Sequence, residues 1–342
     1  MELYCGIDLG KRKSDFCIIN EHRSILAERK LDNNLNEILE FLSRYGDGIH
    51  CVVESSATWY WLVDGLSGAG HQVDLAHTLG MAMIRGAKVK TDRRDARILA
   101  EMLLGGFIPK AYVSPKEIRY VRDLSRYRMD LVSKRAEEYV RIHLLTSRMG
   151  LKALSRNELQ AMTRDELLDP LEGLPIYRPI EQSLDRIELI SKQIEEVEND
   201  IIHKIGDADT FKRLMKIPGI GKTLAVTVYL ETGEIERFKN IKAYSSYCRV
   251  VPGIAQSGSI VRRGRGSKQG NPFLKNAFTQ AAVAAVMHYP RIKSSFDDHL
   301  SKHQGRAGKM VCYNAIAHKL VIAAFQSFSG NDFDMNKLFP EK

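Results

Sequence analysis

Met1-Glu-Leu-Tyr-Cys-Gly-Ile-Asp-Leu-Gly10 opens the chain as an apolar run interrupted near its end by an acid, Asp8. His50-Cys-Val-Val-Glu54 repeats the pattern and closes on Glu54. Thr91-Asp-Arg-Arg-Asp-Ala-Arg-Ile-Leu-Ala100 sets Asp92 and Asp95 at the start of an apolar helix. Acids at two strand ends and one helix start can converge on one point. Carboxylates gathered this way repel one another unless a divalent cation lies between them. Hard oxygen ligands of this kind suit Mg²⁺ or Mn²⁺. The pattern predicts a metal-dependent phosphoryl-transfer site.

Working outward, residues 1–30 read as three short strands, Leu3–Leu9, Ser14–Asn20 and Ser24–Lys30, in an antiparallel meander. A helix follows over Asn33–Tyr45, with Leu35, Ile38, Leu39 and Leu42 at helical spacing. Then come a strand at Ile49–Val53, a helix at Thr58–Gly68, a strand at Gln72–Leu75 and a helix at Asp92–Leu104 that stops at Gly105-Gly106. That order matches a ribonuclease-H-like (RuvC-like) α/β fold, whose mixed sheet carries acids at adjacent strand ends.

The chain has 342 residues, enough for two or three domains, and a formal net charge of +9. Such a charge favours a polyanionic partner, above all nucleic acid. The five cysteines, Cys5, Cys17, Cys51, Cys248 and Cys312, form no C-x-x-C pair, and three lie in apolar strand-like runs. Buried thiols in a reducing cytoplasm are expected rather than disulfides or zinc. No basic lead followed by an apolar stretch marks a signal peptide, and no run reaches the ~18–20 residues of a membrane span.

Residues 111–205 are expected to be helical. Ile187, Ile190, Ile194, Val197 and Ile201 alternate at three and four, which is a short coiled-coil seam or one face of a helical bundle. An earlier helix near Pro115–Met149 can pair with it antiparallel, with a break at Gly173-Leu-Pro-Ile-Tyr-Arg-Pro179.

Residues 206–342 form a third unit, mostly α. No Asp or Glu occurs between Glu236 and Asp297, while Arg237, Lys239, Lys242, Arg249, Arg262, Arg263, Arg265, Lys268, Lys275, Arg291 and Lys293 do. One sign of charge over such a span reads as a nucleic-acid surface.

Each motif has a plainer reading. Asp8 in Gly6-Ile-Asp-Leu-Gly10 can cap a turn, and the string also suits the phosphate loop of actin-like ATPases. Glu54 can begin an exposed loop. Asp92 can be a helix N-cap and Asp95 can favour the positive helix end, although residues three apart also share a helix face and can reach one metal. Ile217-Pro-Gly-Ile-Gly-Lys-Thr223 resembles a helix-hairpin-helix turn. There Gly219, Gly221 and Lys222 would approach a phosphate at a helix N-terminus, or simply join two helices. Pro252-Gly-Ile-Ala-Gln-Ser-Gly-Ser259 precedes Val261-Arg-Arg-Gly-Arg-Gly-Ser-Lys-Gln-Gly-Asn271. A serine beside glycine in a mobile loop, facing cations, can attack a phosphodiester; it can equally be a polar turn in a nucleic-acid-binding loop.

Taken in order, Gly6 through Lys11, Val53-Glu54, Thr91 through Ala96, Ile217 through Gly221 and Pro252 through Asn271 resemble the DEDD transposases of bacterial insertion sequences, family one-ten, and the related Piv-type DNA invertases. The resemblance spans nearly the whole chain. It implies a RuvC-like domain (1–110) whose acids are Asp8, Glu54, Asp92 and Asp95, a coiled-coil, oligomerising middle (111–205) and a transposase domain (206–342). It implies that Ser257, followed by Gly258, attacks DNA to give a phosphoserine link, with Mg²⁺ or Mn²⁺ held by the acids. It also implies a non-coding RNA, encoded by the element, that pairs with donor and target DNA. One departure is Lys222, where relatives often carry Pro after Gly-Ile-Gly.

The sequence is therefore read as a DNA recombinase that excises and inserts a mobile element, working as a dimer or tetramer on DNA and RNA, with no membrane role. Arg262, Arg263, Arg265, Lys268 and Lys275 would contact nucleic acid. Ser259 is a rival nucleophile. Alternative readings are a RuvC-like junction nuclease using metal-activated water, a non-catalytic nucleic-acid scaffold, and an actin-like kinase disfavoured by the absence of a second Asp-Gly phosphate loop.

Overall fold

β1 (Leu3–Leu9) is the centre of a five-stranded sheet with β2 (Lys13–Asn20), β3 (Ile25–Asp32), β4 (His50–Glu54) and β5 (Gln72–Ala76), in the order β3-β2-β1-β4-β5. β1, β2 and β3 pair antiparallel, as the predicted meander; β4 and β5 join in parallel. Helices α1 (Leu35–Ser43), α2 (Tyr60–Gly68) and α3 (Asp92–Leu104) complete the unit. The computed structural model describes residues 2–78, 80–81, 92–152, 154–251, 253–257, 260–264, 269–303 and 308–341; for Asp92 and the strands 253–257 and 260–264 it describes the backbone alone.

The period-two alternation of β1 sorts its side chains between two cores. Cys5, Ile7 and Leu9 meet Phe16, Cys51, Val53 and the apolar faces of α1 and α2, where Leu42, Leu62 and Leu66 are fully buried. Burial of each such leucine is worth ~1.5–3 kcal/mol. On the opposite face, Val52, Ala76, Cys17 and Ile19 pack under Ala96, Leu99, Ala100 and Leu103 of α3. α1 starts where the Asn34 side chain accepts from the Asn36 and Glu37 amides, and α3 stops at Gly106, whose φ is 70°. A mixed sheet of this order, with helices on both faces, fits a ribonuclease-H-like α/β domain.

The chain divides into two compact units, Met1–Val113 and Ser114–Lys342. Among the described residues, the regular structure of the second is helical apart from one hairpin. Its long helices α4 (Lys116–Arg148) and α7 (Tyr177–Ile205) lie antiparallel. Arg128 meets Glu198 at 2.7 Å, Arg135 meets Ser191 at 3.0 Å and Arg186 meets Glu138 at 2.9 Å. Ile187, Ile194, Val197 and Ile201 are buried between them, with Val121, Leu131 and Ile142 of α4. The opposing helix of the isoleucine seam is thus in the same chain. Between the pair lie two short helices, α5 (Arg156–Ala161) and α6 (Arg164–Leu168), each opened by a capping box, Ser155/Glu158 and Thr163/Glu166. The predicted break narrows to a turn around Gly173. Pro179 sits in the first turn of α7, where a missing N–H costs nothing.

Helices α8 (Asp209–Met215), α9 (Lys222–Thr232), α10 (Ile241–Tyr247), α11 (Pro272–His288), α12 (Pro290–Lys302), α13 (Gly308–Phe328) and α14 (Met335–Leu338) share a core with the long pair. Gly219, in the turn from α8 to α9, has φ 79°, and an added Cβ would stand 2.1 Å from the Ala281 carbonyl oxygen. That glycine is a packing contact against α11, whereas Gly221 has open space. The hairpin β6 (Gly253–Ser257) and β7 (Ile260–Gly264) pairs Ser257 with Ile260. The sequence expectation here was a loop; Ile254, Ile260 and Val261 bring enough β preference to form strands. All five cysteines are buried and free, as expected. Among the described residues no helix is long and apolar enough to cross a membrane.

Candidate active site

β1 and β4 run parallel with Ile7 beside Val53, so Asp8 and Glu54 stand at equivalent positions one residue further on. Both lie on the sheet face covered by α3. That helix rests directly on Gly6, where a Cβ would come within 2.0 Å of the Ala96 carbonyl oxygen and 2.5 Å of the Ala100 nitrogen. Only glycine permits this approach. α3 crosses β1 at Gly6, two residues before Asp8, through Ala96 and Ala100. Asp95, only 6% exposed, belongs to the first turn of α3, and Asp92 begins the same helix. The Asp92 side chain lies outside the described residues.

A fifth acid adjoins this corner. Asp15 of β2 is the direct cross-strand partner of Asp8, on the same face. Directly opposed residues hold their Cβ atoms ~4.5–5.5 Å apart, and like charges so placed repel. Lys30 answers part of that charge, 3.0 Å from Asp15. Arg93 donates to Glu28 of β3, tying the first turn of α3 to the sheet edge. Cys17 shares the face, but burial pushes its thiol up to about 11, so it stays neutral and offers no thiolate. The acids at these element ends offer hard oxygen, a donor type that suits Mg²⁺ or Mn²⁺. Among the described residues, no three or more His, Cys, Asp or Glu side chains are arranged as a metal-holding group.

In the second unit, Ser257 ends β6, and Arg262 and Arg263 belong to β7. Their side chains, and Gly258, Ser259, Arg265 and Lys268 altogether, lie outside the described residues. Both roots of the hairpin are tied at one place. Arg249 donates to the Gln269 carbonyl at 3.0 Å, and the Asn271 amide donates to the Tyr247 carbonyl at 2.6 Å. Lys222 and Lys275 are exposed at the first turns of α9 and α11.

A family model of the DEDD transposases of IS110 type matches residues 5–148, and one described as the transposase IS116/IS110/IS902 family matches residues 211–297. This chain belongs to the IS110 family of DEDD transposases. Relatives agree along most of the length. The "Probable family 20 transposase" of Pseudomonas aeruginosa is 24% identical, over 82% of this chain and 83% of its own. The transposase for insertion sequence element IS1328 of Yersinia enterocolitica is 23% identical, over 94% and 95%. The transposase for insertion sequence element IS1111A of Coxiella burnetii is 22% identical, over 83% and 78%.

Within this IS110-family transposase, Asp8, Glu54, Asp92 and Asp95 fall in the first match, and Ser257, Arg262 and Arg263 in the second. Sequence reasoning passed over Asp15, which sits inside a strand and stands opposite Asp8 only through the β1–β2 register. It also passed over Glu231, a buried acid that accepts from Arg126 at 2.6 and 2.9 Å and from the Asn271 side-chain Nδ2 at 2.8 Å. Asn271 caps α11 as well, so this network fixes the second root of the hairpin to α4 and α9. Two of the basic residues assigned to the nucleic-acid surface also make contacts within the fold. Arg237 stacks on Phe238 and Tyr247 and donates to the Thr232 carbonyl, while Arg249 holds Gln269.

Proposed function

We propose that this transposase excises and inserts its element by cutting and rejoining DNA through a covalent phosphoserine link. Asp8, Glu54, Asp92 and Asp95 would hold Mg²⁺ or Mn²⁺, which supplies Lewis-acid stabilisation of charge on the phosphoryl oxygens. Ser257 would be the nucleophile. Its Oγ forms a bond to phosphorus, the bond from phosphorus to one flanking sugar oxygen breaks, and the serine proton passes in net to that leaving hydroxyl. A hydroxyl of the second DNA reverses the step, so the phosphodiester energy is kept without a cofactor. Arg262, Arg263, Arg265, Lys268, Lys275 and Lys222, with Gly219 and Gly221 in the α8–α9 turn, would serve the nucleic-acid surface. An element-encoded RNA would choose donor and target, and a homo-oligomer would hold the two.

The observation that supports the reading is the seating of α3 on Gly6, two residues before Asp8, with Asp95 next to the Ala96 that makes the contact. What supports the serine is its position as the last residue of β6, with two arginines on the partner strand. The test combines purified protein, Mg²⁺, the element's flanking transcript and labelled DNA carrying an element end. Wild type should form a protein–DNA adduct on Ser257. Ser257→Ala should bind DNA and form none, and Asp8→Asn, Glu54→Gln, Asp92→Asn and Asp95→Asn should each lose it while remaining folded. An adduct on Ser259 would transfer the role. Cleavage with free ends by Ser257→Ala would make water the nucleophile and the protein a metal-dependent nuclease.

A further inference from the structure

α12 carries Arg291, Ser295, Asp298, His299 and Lys302 along one side, at helical spacing. With Lys319 of α13 and the segment Phe339–Glu341 they line a hollow of about 600 Å³. The charge in it is unbalanced. The Lys319 ammonium is half-buried, and its partners among the described residues are the Ser295 hydroxyl at 3.5 Å and the Phe339 ring at 4.6 Å. No acid pairs with it there. Burial holds that ammonium below its ordinary value. His299 is lowered too, first by burial and then by Lys319, Lys302 and His303, against which Asp298 acts alone. A positive charge taken part-way out of water is costly unless an anion answers it. The rim already holds an oxyanion: the Glu341 carboxylate, 81% exposed, lies 3.2 Å from Arg291.

We propose that this hollow binds a phosphate of a nucleic-acid backbone, with Lys319, Lys302 and Arg291 as counter-charges and the Ser295 hydroxyl as a further donor. The proposal rests on the transposase reading and adds a contact remote in sequence from the basic hairpin. Phe339 is 1% exposed and so offers no stacking surface. The hollow therefore reads phosphate and not base, a contact that positions without specifying sequence. Glu341 stands where the phosphate would go and competes with it for Arg291.

The test uses full-length protein with ¹³C-labelled histidine, inorganic phosphate, and a short DNA duplex of arbitrary sequence. The His299 midpoint should move upward with either ligand, because an anion now faces it, and should stay put in Lys319→Gln. Lys319→Gln should also reduce the salt slope of DNA binding by ~0.7–0.9 log units, the value of one phosphate contact. Glu341→Gln should tighten binding, since it frees Arg291. Opposite effects from two walls of one hollow cannot arise from general loss of folding. A His299 midpoint unmoved by both ligands overturns the proposal. Movement with phosphate alone, with an unchanged salt slope, makes it a small-anion site and also overturns it. A wild type that binds no nucleic acid at all would sink the transposase reading together with the proposal.

Discussion

Gly6 and Ala96 meet backbone to backbone: a Cβ on Gly6 would stand 2.0 Å from the Ala96 carbonyl oxygen. The carbonyl belongs to a helix and cannot yield alone. Gly6→Ala should therefore lift α3, destabilise the first unit by ~1–3 kcal/mol or more, and lower DNA cleavage by more than the lost folded fraction explains. Gly68→Ala is the control, because nothing lies within 4 Å of its added Cβ. Thermal unfolding and a cleavage assay on both variants decide the matter; equal behaviour would mean that α3 is not held by this contact.

The isoleucine seam should report as stability. Ile194 is 6% exposed against α4, so Ile194→Ala should cost ~2–5 kcal/mol. Half-buried Ile190 should cost less. Urea titration measures the loss and light scattering the mass. A change of oligomer with unchanged midpoint would assign the seam to a partner after all.

Removing one member of the Arg126–Glu231 pair strands a charge that is 2% exposed on the Glu231 side chain. Arg126→Ala should cost ~3–5 kcal/mol, and an apolar replacement of both residues should recover much of it. A double-mutant cycle by chemical denaturation provides the check, with additive losses as the contrary result.

Arg262→Ala, Arg263→Ala and Arg265→Ala together should weaken DNA binding for every sequence alike and flatten the salt slope by ~0.7–0.9 log units per lost phosphate contact. An unchanged slope would show that these side chains face elsewhere.

Glu158 accepts from the Ser155 backbone amide and then from Lys152, which hold its carboxyl at about 2. A folded value below the unfolded one of ~4.3 means the capping box stabilises above that pH and loses its contribution as pH falls toward the folded midpoint. Carboxylate NMR titration should place the Glu158 midpoint near the value stated above. Lys152→Ala should raise it; an unmoved midpoint would leave the shift to the Ser155 backbone amide.

The first unit was legible because its periodicities are clean. Alternation in Leu3–Leu9 and helical spacing in Asp92–Leu104 recover both elements to the residue. Asp8, Glu54 and Asp95 were legible as element ends. Asp15 was not, because it sits inside a strand and gains meaning only from its register with Asp8. The basic span was read as one surface, yet Arg237 and Arg249 each also donate to a backbone carbonyl. Charge is counted from sequence, but direction is not. Glu231 was hidden for a related reason: its partners Arg126 and Asn271 lie 105 and 40 residues away.

Arg249 and Asn271 tie the two roots of the β6–β7 hairpin to neighbouring backbone, and both ties are made by residues outside its strands. Just inside the first tie, Val250 is 2% exposed in the helical core, and its carbonyl accepts from Asn314 at 3.0 Å. Chimaeras that exchange only residues 252–268, keeping Val250 and both ties, should therefore fold, which thermal unfolding would check.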